Sequence, residues 1–129
     1  MKKIVVSIQN SLMAEAITGM LSDSGEFQPF RIPVGNKKTA VVDNCEMLSA
    51  DILLAEVSYA VGTTVETRLR EVKEVKARMP GCKIVFLCDE NSAPDIAREV
   101  TFAKKDGLID NFFYSSVTAK YLLAALVSL

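Results

Sequence analysis

The chain offers few side chains that could carry out catalysis. It contains no histidine, and its three cysteines, Cys45, Cys82 and Cys88, form no C-x-x-C pair. The absence of histidine removes the Ser–His–Asp and Cys–His arrangements that activate a nucleophile. A general base would therefore have to be a carboxylate or a lysine. Scattered thiols without imidazole ligands also argue against a zinc site. We expect no enzyme activity, no metal and no cofactor.

The composition indicates one cytoplasmic domain. The chain has 129 residues, half of them apolar, and a net charge of −1. This near balance of charge argues against a domain that binds DNA or RNA directly. The odd number of cysteines is typical of free thiols in a reducing compartment. No apolar run is long enough to cross a bilayer, so we expect no contact with a membrane.

Five short apolar runs alternate with five segments of helical periodicity. The runs span residues 3–8, 27–32, 51–57, 83–88 and 111–114. Repeated β–α alternation predicts a parallel sheet with right-handed crossovers. Five units in this length predict a doubly wound, flavodoxin-like α/β/α fold of strand order 2-1-3-4-5. Pro29 places the second strand at an edge, as this order requires.

Capping residues predict where the helices begin. The signals are Asn10 or Ser11 for the first helix, a Thr63–Glu66 capping box for the third, Ser92 with Asp95 for the fourth and Ser116 for the fifth. The last helix has Lys120 as its only charge. It is either a well-buried terminal helix or a helix that packs on a partner.

Ligands of doubly wound sheets bind at the carboxyl ends of the strands, near the switch point between strands 1 and 3. Here the chain resembles the response-regulator receiver (CheY-like) domains of two-component signalling. The resemblance covers essentially the whole chain. It rests on element order, length and the segments DILLAE at 51–56 and KIVFLC at 83–88, and not on the diagnostic residues of the family.

The resemblance implies a set of site positions, most of which carry the wrong residue. The acidic pair that holds magnesium is replaced by Ile8 and Gln9, and the phosphoacceptor aspartate by Glu56. The Ser or Thr that closes strand 4 is Cys88, and the lysine that closes strand 5 is Ser115.

The aromatic switch position of the family falls on Phe112. Magnesium needs several hard oxygen ligands, and Glu56 with Asp89 nearby is a poor set. The resemblance thus implies a degenerate receiver, or pseudo-receiver, that the usual aspartate and magnesium mechanism does not phosphorylate.

Three alternatives stay open at these positions. Glu56 either imitates a phosphorylated aspartate or is a strand-end carboxylate that faces water. Cys88 is either a redox-sensitive thiol or a small core residue. The turn at residues 7–11 precedes a helix start, where anions can bind, but it lacks the glycines of a phosphate loop. A small-molecule, flavin or nucleotide site is therefore the weaker alternative.

We expect residues 1–129 to form a single receiver-like domain, either alone or as the N-terminal part of a longer regulator. Its expected role is in signal transduction or transcription regulation through contact with a protein partner or effector domain. As the resemblance implies, a homodimer would form through the face of helix 4, strand 5 and helix 5.

Overall fold

The computed structural model describes residues 1–32, 39–88 and 94–129, and the described residues form five strands and five helices in alternation. The elements are β1 (Lys2–Ser7), α1 (Ser11–Asp23), β2 (Phe27–Arg31), α2 (Ala40–Leu48), β3 (Ile52–Val57), α3 (Val65–Arg78), β4 (Lys83–Cys88), α4 (Pro94–Lys105), β5 (Asn111–Tyr114) and α5 (Ala119–Val127). Residues 34–38, which follow the second apolar run and are expected to form a loop, and the predicted cap Ser92 lie outside the described residues.

All five strands are parallel and lie in the order β2-β1-β3-β4-β5. The predicted flavodoxin-like α/β fold is therefore confirmed. Pro29 lies in β2, at the edge of the sheet, where a missing backbone donor costs least. β1 and β3 are direct neighbours, although a helix, a strand and a second helix separate them in the sequence.

Helices cover both faces of the sheet, as its central strands require. β3 is buried at every position, which fits a strand with an apolar layer on each side. Alternate residues of β3 belong to two different core clusters, because successive side chains of a strand point to opposite faces. One cluster includes residues of α2, α3 and α4, and the other includes residues of α1 and α5.

The N-terminal caps of α1 and α5 are set by short polar side chains. Asn10 Oδ1 accepts a hydrogen bond of 3.0 Å from the backbone N of Met13, so Asn10 is the cap of α1 and not Ser11. The prediction of Ser116 as the cap of the last helix is wrong by two residues. Thr118 caps it by accepting from the backbone N of Tyr121 at 3.2 Å.

The predicted capping box of α3 is also wrong by one residue. Thr64 is the cap, and its hydroxyl accepts from the backbone N of Thr67 at 3.3 Å. The hydroxyl of Thr63 is buried and lies 2.7 Å from that of Ser58. Thr63 therefore closes the loop after β3 and is not free to cap the helix.

None of the helices within the described residues is long and apolar enough to cross a membrane.

Candidate functional site at the carboxyl ends of the strands

The carboxyl ends of β1, β3, β4 and β5 lie side by side. Ser7 pairs with Ala55, Val57 with Cys88, and Cys88 with Tyr114. Just beyond this edge, the backbone N of Ser115 donates to the carbonyl of Cys88 at 2.8 Å. The fold thus places the predicted positions at the ends of β1, β3, β4 and β5 along one edge of the sheet.

Glu56 is a buried carboxylate with a defined partner. The residue is 9% exposed, and its Oε1 accepts a hydrogen bond of 2.9 Å from the backbone N of Gln9. The interpretation in which Glu56 simply faces water is therefore wrong. The carboxylate reaches across to the connection between β1 and α1 and fixes it to the end of β3.

Ile8 and Gln9 contribute to this connection in different ways. The side chain of Ile8 is fully buried in the core cluster beneath α1 and α5. Gln9 is exposed and contributes its backbone N–H to Glu56. At this point the chain therefore offers one apolar side chain and one amide where a metal site of the expected kind needs carboxylates.

The residue at the centre of the site is Arg68, which the sequence analysis did not single out. Arg68 is 1% exposed and is the largest fully buried side chain of the described residues. Its Nε donates to the carbonyl of Glu56 at 2.7 Å. Nη1 donates to the hydroxyl of Ser7 at 2.9 Å, and Nη2 donates to the carbonyl of Ser7 at 2.9 Å. Arg68 thus binds the ends of both β1 and β3.

Glu71 is the counter-ion of Arg68. Its Oε1 lies 3.0 Å from Nη1 of Arg68, one turn along α3, and both side chains are buried. Burial raises the pKa of Glu71 because the ionised carboxylate is poorly solvated, and the neighbouring Arg68 opposes this shift. A buried guanidinium needs such a partner, because an unpaired charge in the interior is strongly destabilising.

A signal for Arg68 was present in the spacing of α3. Val65, Val72 and Val75 are buried against the sheet. Arg68 lies three residues after Val65 and four before Val72, which places it in the same stripe. The apolar pattern by itself predicts a face of Val65, Leu69, Val72 and Met79, although Leu69 and Met79 are only partly buried. Charged residues are seldom fully buried. The apolar pattern alone therefore does not predict that Arg68 faces the sheet.

A second guanidinium lies on the other side of the connection between β1 and α1. Nη2 of Arg31, at the end of β2, lies 3.5 Å from the carbonyl of Ile8 and 3.3 Å from the hydroxyl of Ser11. Its Nε is buried without a hydrogen-bond partner among the described residues. Guanidinium groups therefore donate hydrogen bonds on both sides of this connection, to Ser7 from Arg68 and to Ile8 and Ser11 from Arg31.

These residues do not fit a magnesium ion. A divalent cation needs several oxygen ligands in a set geometry. Within residues 1–32, 39–88 and 94–129, Glu56 is the one carboxylate that hydrogen-bonds to the β1–α1 connection. The backbone N–H of Gln9 already binds one of its two oxygens. Two guanidinium groups instead donate to the carbonyls of Ser7 and Ile8. No group of three or more metal-ligating side chains occurs in the described part of the chain. Asp89 lies outside that part.

Cys88 is a core residue. It is 1% exposed and belongs to the core cluster beneath α2, α3 and α4. Burial raises the pKa of its thiol to about 12, so almost none is ionised at neutral pH. Since the thiolate is the reactive form, this environment argues against a redox-sensitive thiol and confirms the interpretation as a core residue.

Phe112 and Ser115 lie at the end of the sheet formed by β5. The ring of Phe112 packs on the core, and Nζ of Lys104 lies 5.9 Å from its centroid. Tyr114 meets it edge-on at 6.1 Å. Ser115 is partly buried and lines an apolar groove of about 180 Å³ between α1 and α5, together with Met13 and other residues of those helices.

A second crevice lies between the loop after β3 and α4, with a volume of about 340 Å³. Its lining carries three carboxylates, Glu66, Asp95 and Glu99. Flavin mononucleotide and nucleotides carry phosphate, and carboxylates in the wall repel that charge. The lining of this crevice therefore does not favour a phosphate-bearing ligand there, and it does not test the alternative site at the turn of residues 7–11.

Comparison with known proteins is informative for structure and not for sequence. No protein-family model matches the chain, and no curated protein matches its sequence. Solved structures of similar fold are numerous. The REC domain of the response regulator AraT from Geobacillus stearothermophilus is 13% identical, with a TM-score of 0.72 over 98% of this chain and 90% of that chain.

Two further structures show the same likeness. The chemotaxis protein CheY4 from Vibrio cholerae is 16% identical, with a TM-score of 0.72 over 98% of this chain and 96% of that one. A LuxR-family DNA-binding response regulator from Staphylococcus aureus is 9% identical, with a TM-score of 0.76 over 99% and 98% of the two chains. The chain therefore has the fold of response-regulator receiver domains, and the resemblance first read from its element order is confirmed at that level.

Proposed function

We propose that this chain is an atypical receiver domain that acts in the cytoplasm through protein–protein contacts. In this proposal it is neither an enzyme nor a target of the aspartate and magnesium mechanism. The observation that carries the proposal is the state of Glu56. The resemblance to receiver domains assigns Glu56 to the phosphoacceptor position, and its carboxylate is bound to the backbone N–H of Gln9.

The surrounding charges support this proposal. Phosphoryl transfer depends on groups that neutralise the charge of the transferred phosphoryl group, usually a metal ion and a lysine. The site has Ile8 and Gln9 in place of acidic metal ligands and Ser115 in place of the lysine. Arg68 does not replace them, because four hydrogen bonds already commit its guanidinium to Ser7, Glu56 and Glu71.

The same geometry gives Glu56 a structural role in our proposal. A carboxylate that imitated a phosphorylated aspartate would be expected to bind a lysine at the end of β5, where this chain has Ser115. Glu56 instead holds the connection between β1 and α1. We therefore assign its charge to positioning that connection.

Incubation with acetyl phosphate and Mg²⁺, followed by intact-mass spectrometry, tests the loss of phosphorylation. We expect no added phosphoryl group on the wild-type chain under conditions that label a phosphorylatable receiver run alongside it. A stable gain of one phosphoryl group that disappears in Glu56→Ala would overturn the proposal. A gain that persists in Glu56→Ala would locate the modification elsewhere and would still contradict it.

We further propose that the face of α4, β5 and α5 contacts a protein, and specifically a second copy of this chain. Each element contributes one exposed aromatic side chain. Phe102 is 55% exposed, Tyr114 is 43% exposed and Tyr121 is 63% exposed. Aromatic residues of this kind are enriched at protein interfaces because they bury much apolar area with few rotatable bonds.

Sedimentation velocity over a range of concentrations tests this contact. We expect the wild-type chain to self-associate, and Phe102→Ser with Tyr121→Ser to weaken the association. Tyr59→Ser is the matched control, since Tyr59 is 60% exposed in the loop after β3. A chain that stays monomeric at high concentration would rule out the homodimer.

A further inference from the structure

The guanidinium of Arg68 joins three elements at the switch point of the sheet. It binds the carbonyl and hydroxyl of Ser7 at the end of β1 and the carbonyl of Glu56 near the end of β3. It also binds Glu71 on its own helix α3. These four hydrogen bonds are 2.7 to 3.0 Å long, so each of the three guanidinium nitrogens has an acceptor at full hydrogen-bond distance.

The groups that accept hydrogen bonds from Arg68 are buried, so water cannot readily replace Arg68 as their donor. Ser7 is fully buried and Glu56 nearly so, and a buried carbonyl that loses its donor is destabilising. If Arg68 lost these acceptors while it stayed buried, its guanidinium would be left as a poorly paired charge. The packing of α3 on the sheet and the arrangement of the two strand ends therefore depend on each other.

We propose that Arg68 is a built-in cation that locks the ends of β1 and β3 in one arrangement, so that this edge of the sheet neither needs nor takes a divalent cation. This inference rests on the proposed function, because it explains how an unphosphorylated domain keeps a single signalling state. In this arrangement Glu71 neutralises the guanidinium, and Glu56 is free to hold Gln9.

Amide hydrogen exchange in Arg68→Met tests the lock. The reporters are the backbone N–H of Gln9, which binds Glu56, and that of Ser58, which donates to the carbonyl of Thr63 at 2.9 Å. We expect exchange at both amides to accelerate by about tenfold or more, because their elements lose the shared anchor. Arg70→Met, an exposed arginine two residues further along α3, is the matched control and should leave both amides unchanged.

The opposite edge of the sheet provides an internal control. The backbone N–H of Asp51 donates to Lys3, and that of Lys83 donates to Asp51, both at the amino ends of strands. These amides should keep their wild-type exchange rates in Arg68→Met. An equal acceleration at both edges would show a general loss of stability and would overturn the proposal of a local lock.

Two milder variants keep the test decisive if Arg68→Met does not fold. Arg68→Lys retains the charge but loses the planar fork that reaches both strands. Ser7→Ala removes one acceptor and leaves the carbonyl in place. Both should accelerate the Gln9 and Ser58 amides in the same pattern. Wild-type exchange at these amides in both variants would overturn the lock.

Titration of the wild-type chain with Mn²⁺ addresses the second half of the proposal. We expect no selective paramagnetic broadening of the Gln9 or Ser58 amide signals. Broadening centred on these residues would show that the edge does take a divalent cation, contrary to the proposal. These results are independent of the acetyl phosphate experiment, so the lock and the loss of phosphorylation can fail separately.

Discussion

The backbone N–H of Gln9 donates to Oε1 of Glu56 at 2.9 Å, across 47 positions of sequence. This single hydrogen bond ties the connection after β1 to the end of β3. In our proposal, this contact makes the carboxylate of Glu56 a structural tether and not a reactive group. Its contribution to stability is therefore a direct measure of the structural role of Glu56.

Two substitutions of Glu56 should distinguish the contribution of its hydrogen bond to stability from that of its charge. We expect Glu56→Ala to lower the free energy of unfolding by about 1 to 2 kcal/mol, since it removes a partly buried hydrogen bond to a charged acceptor. Glu56→Gln keeps an oxygen acceptor and should lose less. Urea denaturation measures this free energy of unfolding. The comparison holds when the slope of the free energy against urea concentration is the same in each variant.

Glu15→Ala, on the exposed side of α1, is the matched control and should change the free energy of unfolding by less than about 0.5 kcal/mol. Equal losses in Glu56→Ala and Glu15→Ala would contradict a tethering role for Glu56.

The ionisation of Glu71 should make stability depend on pH. Burial raises its pKa in the folded chain above the ordinary value of 4.5, so the folded state binds this proton more tightly than the unfolded state. The resulting contribution is fully present below about pH 4.5 and is lost as the pH rises through the folded pKa. Relative to Glu71→Gln, the wild-type chain should therefore lose stability over this interval.

Urea midpoints of the wild type and Glu71→Gln, measured from pH 4 to pH 7, check this prediction. Their separation at the lowest pH, where Glu71 is protonated, compares the neutral carboxyl with the amide. The change in separation with pH reports the ionisation of Glu71 beside Arg68. A wild-type chain that gains stability relative to Glu71→Gln as the pH rises would show the opposite shift of the pKa.

The sheet could be predicted from the sequence because its signals are local. The run at residues 83–88 is apolar after its lysine and corresponds to β4 with the same bounds. Burial on both faces leaves few other structures for such a run. The β–α alternation and the chain length predict the strand order, and Pro29 is consistent with β2 at an edge.

The centre of the site could not be predicted in the same way because its contacts are distant in sequence. Arg68 binds Ser7 from 61 positions away, and neither residue type signals the other. The one-residue error at the start of α3 has a related cause. Thr63 and Thr64 are both suitable caps, and the contact of Thr63 with Ser58 in the loop decides between them.

The three thiols should react slowly in the folded chain. All three are buried, and burial raises the pKa of Cys45 and Cys88 to about 12 and that of Cys82 to about 11. We expect labelling by Ellman's reagent at pH 8 to be slower than in denaturant by about 100-fold or more, because it has to wait for opening of the structure.

Ser22→Cys places a thiol at an exposed position of α1 and serves as the positive control. One thiol of the wild type that labels as fast as this control would contradict the prediction. Mass spectrometry of the labelled peptides would then identify which of the three is accessible.

The caps of α2 and α3 provide the last test, because both are threonines and only one makes a side-chain cap. The hydroxyl of Thr64 accepts from the backbone N of Thr67 at 3.3 Å, whereas Thr39 makes no side-chain cap hydrogen bond to the described residues of α2. Thr64→Ala should therefore lower the free energy of unfolding by about 1 kcal/mol. Thr39→Ala is the matched control and should have little effect in the same urea titration. If Thr39→Ala costs as much as Thr64→Ala, the loss comes from the threonine itself and not from the cap.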